Sequence, residues 1–281
     1  MKLGHSPAVF NTHFGDRRYF KMVEYGFKYA DIFIDSEYGT ATEKEYTDYW
    51  LNEKKMADEA GVTIFQVHGP FRYPHHEETP ELRRERMELF KESLRITAAI
   101  GCKYWVTHPL MPYKETDFRP HEVWDINLEF FRELLPYAKE RGITICLENM
   151  PMPAFPIATP QQILDFVREI DDENFMICLD TGHAWVCDVQ PGDAARLFGD
   201  YLKVLHVHDN VGRTKGDQHL TPTMGTIDWN DFKKALVEIG YDKWGVFNLE
   251  CNFSSILPNQ SISNELRADI IRIITRDIAP Q

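Results

Sequence analysis

Six segments of the chain run through aliphatic and β-branched residues and then stop on a side chain that can hold a cation or carry a proton. They are Val67-His68-Gly69-Pro70, Val106-Thr107-His108-Pro109, Cys146-Leu147-Glu148-Asn149, Leu179-Asp180-Thr181-Gly182-His183, His206-Val207-His208-Asp209 and Asn248-Leu249-Glu250-Cys251. A parallel strand covered on both faces should read as unbroken Val, Ile and Leu, so a polar finish needs a reason. Taken singly, a strand-end histidine is commonly a satisfied structural residue, and a lone carboxylate commonly caps a helix or pairs with an arginine. Six such ends in one chain point to a shared cause. Carboxylates brought to one place repel one another and resist ionising. A divalent cation removes that repulsion, and carboxylate with imidazole suits zinc, manganese, iron or cobalt. No cysteine needs to join, which argues against a structural thiolate zinc site.

The elements that must position these ends alternate along the whole chain. Eight β-rich runs are expected, at Lys2–His5, Tyr29–Ile34, Thr63–His68, Tyr104–His108, Thr144–Glu148, Phe175–Asp180, Leu202–His208 and Gly245–Glu250. Helical patterns lie between them. In one, Val123, Ile126, Phe130, Phe131, Leu134, Leu135 and Ala138 share a face at 3.6-residue spacing; in another, Met87, Phe90, Leu94 and Ala98 do so. Thr79 and Asp228 stand at N-cap positions, and Gly61, Gly101 and Gly142 each follow a helical run and precede a strand. Alternation of this kind predicts a parallel sheet with right-handed crossovers. Eight units in 281 residues match one closed (β/α)8 TIM barrel, a single α/β domain over residues 1–281. A doubly wound open sheet is the alternative, but no G-x-G-x-x-G follows the first strand. The long irregular segments 71–78, 109–121, 150–159 and 209–228 all follow strands, and in a barrel they would rise on its C-terminal face, where catalytic loops belong.

Bulk properties narrow the partners. A formal charge of −13 repels phosphodiester backbones and anionic membranes at long range, so no nucleic acid or membrane partner is expected. Five cysteines, an odd number without a C-x-x-C, suggest buried reduced thiols rather than a disulfide framework. The first fifteen residues lack a basic segment followed by an apolar one, and no apolar run is long enough to span a bilayer, so a cytoplasmic location is expected.

The combination Leu147-Glu148-Asn149, Leu179-Asp180-Thr181-Gly182-His183, His206-x-x-Asp209 and a terminal Leu249-Glu250 resembles the xylose isomerase-like TIM-barrel superfamily. That superfamily holds sugar and sugar-phosphate isomerases and epimerases, such as the ketose 3-epimerases, together with inosose dehydratase and the family-2 apurinic endonucleases. The likeness covers most of the chain, from His68 to Glu250. It implies one divalent cation (Mn, Zn or Co) held by Glu148, Asp180, His206 and Glu250, with Glu148 and Glu250 also forming the acid/base pair. His206 is preferred because the family pattern puts the ligand three residues before an Asp, here Asp209. His208, two residues on, would share its strand face and remains a rival. A substrate-binding histidine and arginine map onto His183 and Arg213. His68, His108, His183, Asp217 and His219 also stand in the contexts of the further ligands of the three-zinc endonucleases, so they are either substrate-binding or additional metal ligands. Sugar-type members also keep the D-x-H element at Asp217-Gln218-His219, followed here by Met224-Gly225-Thr226-Ile227-Asp228-Trp229, so its presence does not establish up to three Zn.

The expected chemistry is proton abstraction alpha to the carbonyl of a small carbohydrate through an enediolate, giving epimerisation, isomerisation or dehydration according to where the proton returns or which group leaves. An endonuclease-like zinc phosphodiesterase is the alternative; 31 basic against 44 acidic residues disfavour it. A non-catalytic carbohydrate binder would have no need of paired carboxylates beside a cation. Trp185, Phe71, Tyr73 and Phe155 follow strands and are candidates for stacking on a sugar; Pro74-His75-His76 reads as a solvated loop. Arg72, Lys114 or Arg119 could supply one phosphate contact. Members of the superfamily are often oligomers, so a homo-oligomer is an expectation too.

Overall fold

Gly61, Gly101 and Gly142 take φ of +79°, +72° and +68°, the left-handed conformation that any side chain disfavours, and each turns the end of a helix into the next strand. This stop recurs in a computed structural model that describes residues 1–35, 42–71, 78–114, 117, 119–212, 216–251 and 263–281, the side chains of 11–13 excepted. The strands are β1 (Lys2–His5), β2 (Tyr29–Phe33), β3 (Thr63–His68), β4 (Tyr104–Thr107), β5 (Thr144–Glu148), β6 (Phe175–Asp180), β7 (Leu202–His206) and β8 (Val246–Leu249). Between and after them run α1 (Pro7–Phe14), α2 (Arg18–Glu24), α3 (Glu43–Ala60), α4 (Pro80–Ala99), α5 (Pro120–Lys139), α6 (Pro160–Ile170), α7 (Thr181–Val186), α8 (Pro191–Phe198), α9 (Trp229–Glu238) and α10 (Asn264–Ile278). Thr79 and Asp228 are indeed N-caps, their side chains accepting from Leu82 N and Asp231 N.

Every strand pairs in parallel with its neighbours in the order β7-β6-β5-β4-β3-β2-β1-β8. The ring closes where Val207 N donates to Asn248 O at 2.8 Å and Glu250 N donates to Val207 O at 2.9 Å. The fold is therefore a single (β/α)8 TIM barrel. The seventh strand ends its regular pairing at His206, two residues short of the sequence expectation; Val207 contributes only an isolated bridge to Leu249. Among the described residues no helix is long and apolar enough to cross a membrane.

Strand alternation divides the core. Leu147, Leu179, Leu205 and Leu249 face the helices within one large apolar cluster. Val106, Cys146, Cys178 and Val204 form a separate buried cluster inside the barrel. Two residues farther along come Glu148, Asp180 and His206 at the ends of β5, β6 and β7, and His108 just past β4, so the pleat aims these side chains along the same axis, above that apolar plug. All five cysteines are free and buried.

Candidate metal centre

The barrel register does most of the positioning. Glu148 lies opposite Cys178 on the neighbouring strand, and Asp180 lies opposite His206. As a result Glu148, Asp180, His206 and Glu250 each offer a ligand atom, all within 4.8 Å of one another. His206 Nδ1 is 3.1 Å from Glu148 Oε1 and 3.3 Å from Glu250 Oε2. Asp180 Oδ1 accepts the His183 N–H at 2.6 Å as the N-cap of α7, and Oδ2 lies 2.9 Å from His208 Nε2. Three members are buried, and Glu250 is half-buried at the wall of a cavity of about 500 Å³. Glu148 Oε2, His206 Nδ1 and Glu250 Oε2 are buried and make no hydrogen bond. Unpaired polar atoms converging in the interior are costly, and a divalent cation would satisfy them; the carboxylate–imidazole donor set fits such an ion.

Two further groups adjoin this quartet. His68 Nε2 and His108 Nε2 lie 3.4 and 3.2 Å from Glu148 Oε2, and 3.3 Å from each other. On the other side, Asp217 Oδ2 is 3.2 Å from His183 Nε2 and 2.8 Å from His219 Nε2. His208 joins this second group rather than the quartet: its ring stacks on His219 at 4.0 Å between centroids, within reach of Asp217. Gly182 has no room for a side chain, because a Cβ there would come 2.0 Å from the His208 ring.

The electrostatics follow from crowding. Burial opposes ionisation of Glu148, yet His206 and His108 beside it outweigh burial and hold its carboxyl well below the usual range. Glu250 goes the other way: burial raises it, His206 pulls against this, and the nearby Glu148 charge adds to the rise. Burial also disfavours the charged form of His183, but Asp180 and Asp217 override it and push the imidazole up to about 10. Asp180 is lowered against burial by His183 and His208.

The cavity is lined by the apolar Ala8, Val9, Phe33 and Phe71 and by the polar Asp31, His68, His108, His183, Asp217, His219 and both glutamates. Trp185 does not line it. Its indole N–H donates to Thr226 Oγ1 at 2.9 Å, and its ring edge packs near Gly212. Phe155 is likewise buried in the helix–sheet core. Arg213, Arg72, Tyr73, His75 and His76 lie outside the described residues. Sequence reasoning missed Asp31, Gln66 and Asn248, three buried polar side chains that meet inside the barrel: Gln66 Nε2 and Asn248 Nδ2 donate to Asp31 Oδ2 at 3.0 and 3.1 Å. The signal available was a lone Asp in the Ala30-Asp31-Ile32 run of β2. His5, at the end of β1, was also overlooked; it is fully buried between Phe10 and Phe27.

Comparison with known proteins agrees with this architecture. The family described as xylose isomerase-like TIM barrel matches residues 21–268. The chain belongs to that family. A D-psicose 3-epimerase from Ruminiclostridium cellulolyticum is 28% identical over 208 residues, 70% of this chain and 67% of the relative. A probable endonuclease 4 from Mycoplasmopsis synoviae is 22% identical over 217 residues, 73% of this chain and 74% of the relative. The solved structure of IolI protein with a bound zinc atom superposes with a TM-score of 0.76 at 19% identity, covering 99% of this chain and 98% of the other.

Proposed function

We propose that the chain is a divalent-metal-dependent sugar isomerase or epimerase, with one cation held by Glu148, Asp180, His206 and Glu250. The carrying observation is that Glu148 and Glu250, delivered from β5 and just past β8, both reach His206 Nδ1 and both face the same cavity. When bound, the cation would supply Lewis-acid polarisation of a substrate carbonyl. The chain's own part is proton transfer. Glu148 and Glu250 come to that cavity from different strands, so a substrate carbon could sit between them. One of the two glutamates can take the proton alpha to the carbonyl and the other can return one. The neighbouring carboxylates and imidazoles can orient hydroxyl groups, while Phe33 and Phe71 offer apolar faces to the carbon skeleton. A solved structure of the same fold with a bound zinc atom, and an epimerase among the relatives, support this reading.

The test is a screen of ketohexoses and inososes for deuterium incorporation from D2O at the carbon next to the carbonyl. Metal-dependent exchange that Glu250→Gln abolishes is expected; no exchange with any of these substrates by metal-loaded protein would count against the reading.

A second reading rests on the two outer groups. The His68–His108 pair and the His183–Asp217–His219 cluster supply a donor set for up to three Zn, as an endonuclease-like phosphodiesterase would need. Against it, no Lys or Arg occurs among the described residues lining the cavity, and the net charge of −13 opposes a polyanionic substrate.

A further inference from the structure

His206 has two ring nitrogens, and they face different partners. Nδ1 points to Glu148 and Glu250, while Nε2 lies 3.1 Å from Asp31 Oδ2 on β2. A histidine that gives its Nδ1 lone pair to a cation must keep its proton on Nε2, and that proton needs an acceptor. We propose that Asp31 is the positioning residue that fixes the tautomer and tilt of the His206 ring, so that Nδ1 is the metal-binding atom. The inference rests on the cation site proposed above and extends it inward by one layer.

Asp31 is itself held in place. Its Oδ2 accepts from Gln66 Nε2 on β3 and from Asn248 Nδ2 on β8, so with His206 on β7 four strands contribute to one polar layer. Asp31 and Gln66 are partners in the register of β2 and β3, immediately after a shift between Ala30 and Asp31. Gly4 on β1 leaves the space that Asn248 fills, since a Cβ there would meet Asn248 Oδ1 at 2.9 Å. All four polar residues are buried. An apolar layer would be cheaper to bury than these groups, so this arrangement calls for a role that packing alone does not supply. The Asp31–His206 pair is at hydrogen-bond distance, but the ring is turned so that the N–H does not point squarely at the carboxylate. Contacts of this type commonly tighten only when a site is loaded.

The experiment compares wild type with Asp31→Asn and Asp31→Ala, using Zn2+ alone as the probe. Affinity is read by competition with a chromophoric chelator, and the His206 tautomer by long-range 1H–15N NMR of histidine-labelled, Zn-loaded protein. Asp31→Ala should weaken Zn2+ binding roughly 10–100-fold and lose the Nδ1-metal, Nε2-proton pattern of His206. Asp31→Asn keeps an oxygen acceptor and should lie between the two, which also covers the case in which the alanine variant fails to fold. Asn and Ala variants that bind Zn2+ as wild type does, with His206 unchanged, would overturn the proposal, as would a change in KM alone, which would make Asp31 a substrate contact. Wild type that takes up no Zn2+ would sink both this inference and the cation reading; uptake that is indifferent to Asp31 would sink only the former.

Discussion

The quartet and the outer cluster on its far side use similar residues but are held by different means. Glu148, Asp180 and His206 each end a strand, and Glu250 follows β8 by one residue, so sheet register and pleat preset their approach. Asp217 and His219 belong to the segment 209–228, whose described residues form no extended ladder, only an isolated antiparallel bridge between Asp209 and Leu220. That segment is clamped by Asp209 instead: Oδ1 accepts from Asn210 N and Ile227 N, and Oδ2 accepts from Thr223 N and Trp229 Nε1. It also contains two non-glycine residues at positive φ, His219 at +46° and Thr223 at +77°, a conformation that costs of order 1 kcal/mol or more each. The strand-borne side chains are set by the fold itself, whereas Asp217 and His219 depend on a buried clamp that holds strained backbone. The same clamp gives the Asp of the His206-x-x-Asp209 pattern a physical role: it anchors a loop.

This contrast can be broken at several points. The largest effect should come at Glu148, which touches the quartet and both outer groups. Glu148→Gln should lower turnover by roughly 10²–10⁴-fold and reduce cation binding, as steady-state rates and metal titration would show. Next, Asp209→Asn should destabilise the protein by about 1–3 kcal/mol and disorder the approach of Asp217 and His219, while leaving the affinity of the quartet for its cation within a few-fold of wild type. Loss of quartet binding in that variant would mean the two regions are not separately held.

A pH experiment sharpens the comparison. In the metal-free protein His183 is raised from 6.5 to about 10 and His219 from 6.5 to about 9, against burial, by their carboxylate neighbours. Groups raised on folding add stability that is fully present below pH 6.5 and is lost as pH climbs through the folded values. Metal-free protein should therefore lose denaturation midpoint between pH 6.5 and 10, and His183→Gln should flatten that slope. The smallest effect is expected from Trp185→Phe. It removes one exposed bond to Thr226 and should leave KM unchanged, because the ring lies off the cavity; a several-fold rise in KM would support a stacking role.

Much of this was legible in the sequence because a two-residue period acts on strands that should be purely apolar. His68, Glu148 and Asp180 stand out as strand ends for that reason, and the glycines Gly61, Gly101 and Gly142 mark where helices stop. His208 shows what alternation leaves open. Alternation puts it on the His206 face, and its Nε2 does reach Asp180, but regular pairing ends at His206 and only the folded chain shows its ring stacked on His219. Asp31, Gln66 and Asn248 escaped notice because each is one polar residue within a short strand, and only the closed barrel reveals that they meet. Trp185 is the opposite case: closeness to His183 in sequence says nothing of direction when a six-residue helix, α7, carries both.

The most direct test of the account is the metal content of protein purified without added metal, with Glu148→Gln measured alongside. About one divalent cation per chain, lost in the variant, is the predicted result. About three zinc equivalents would favour the phosphodiesterase reading, and metal-free protein that takes up no added Mn2+, Zn2+ or Co2+ would contradict the proposed centre.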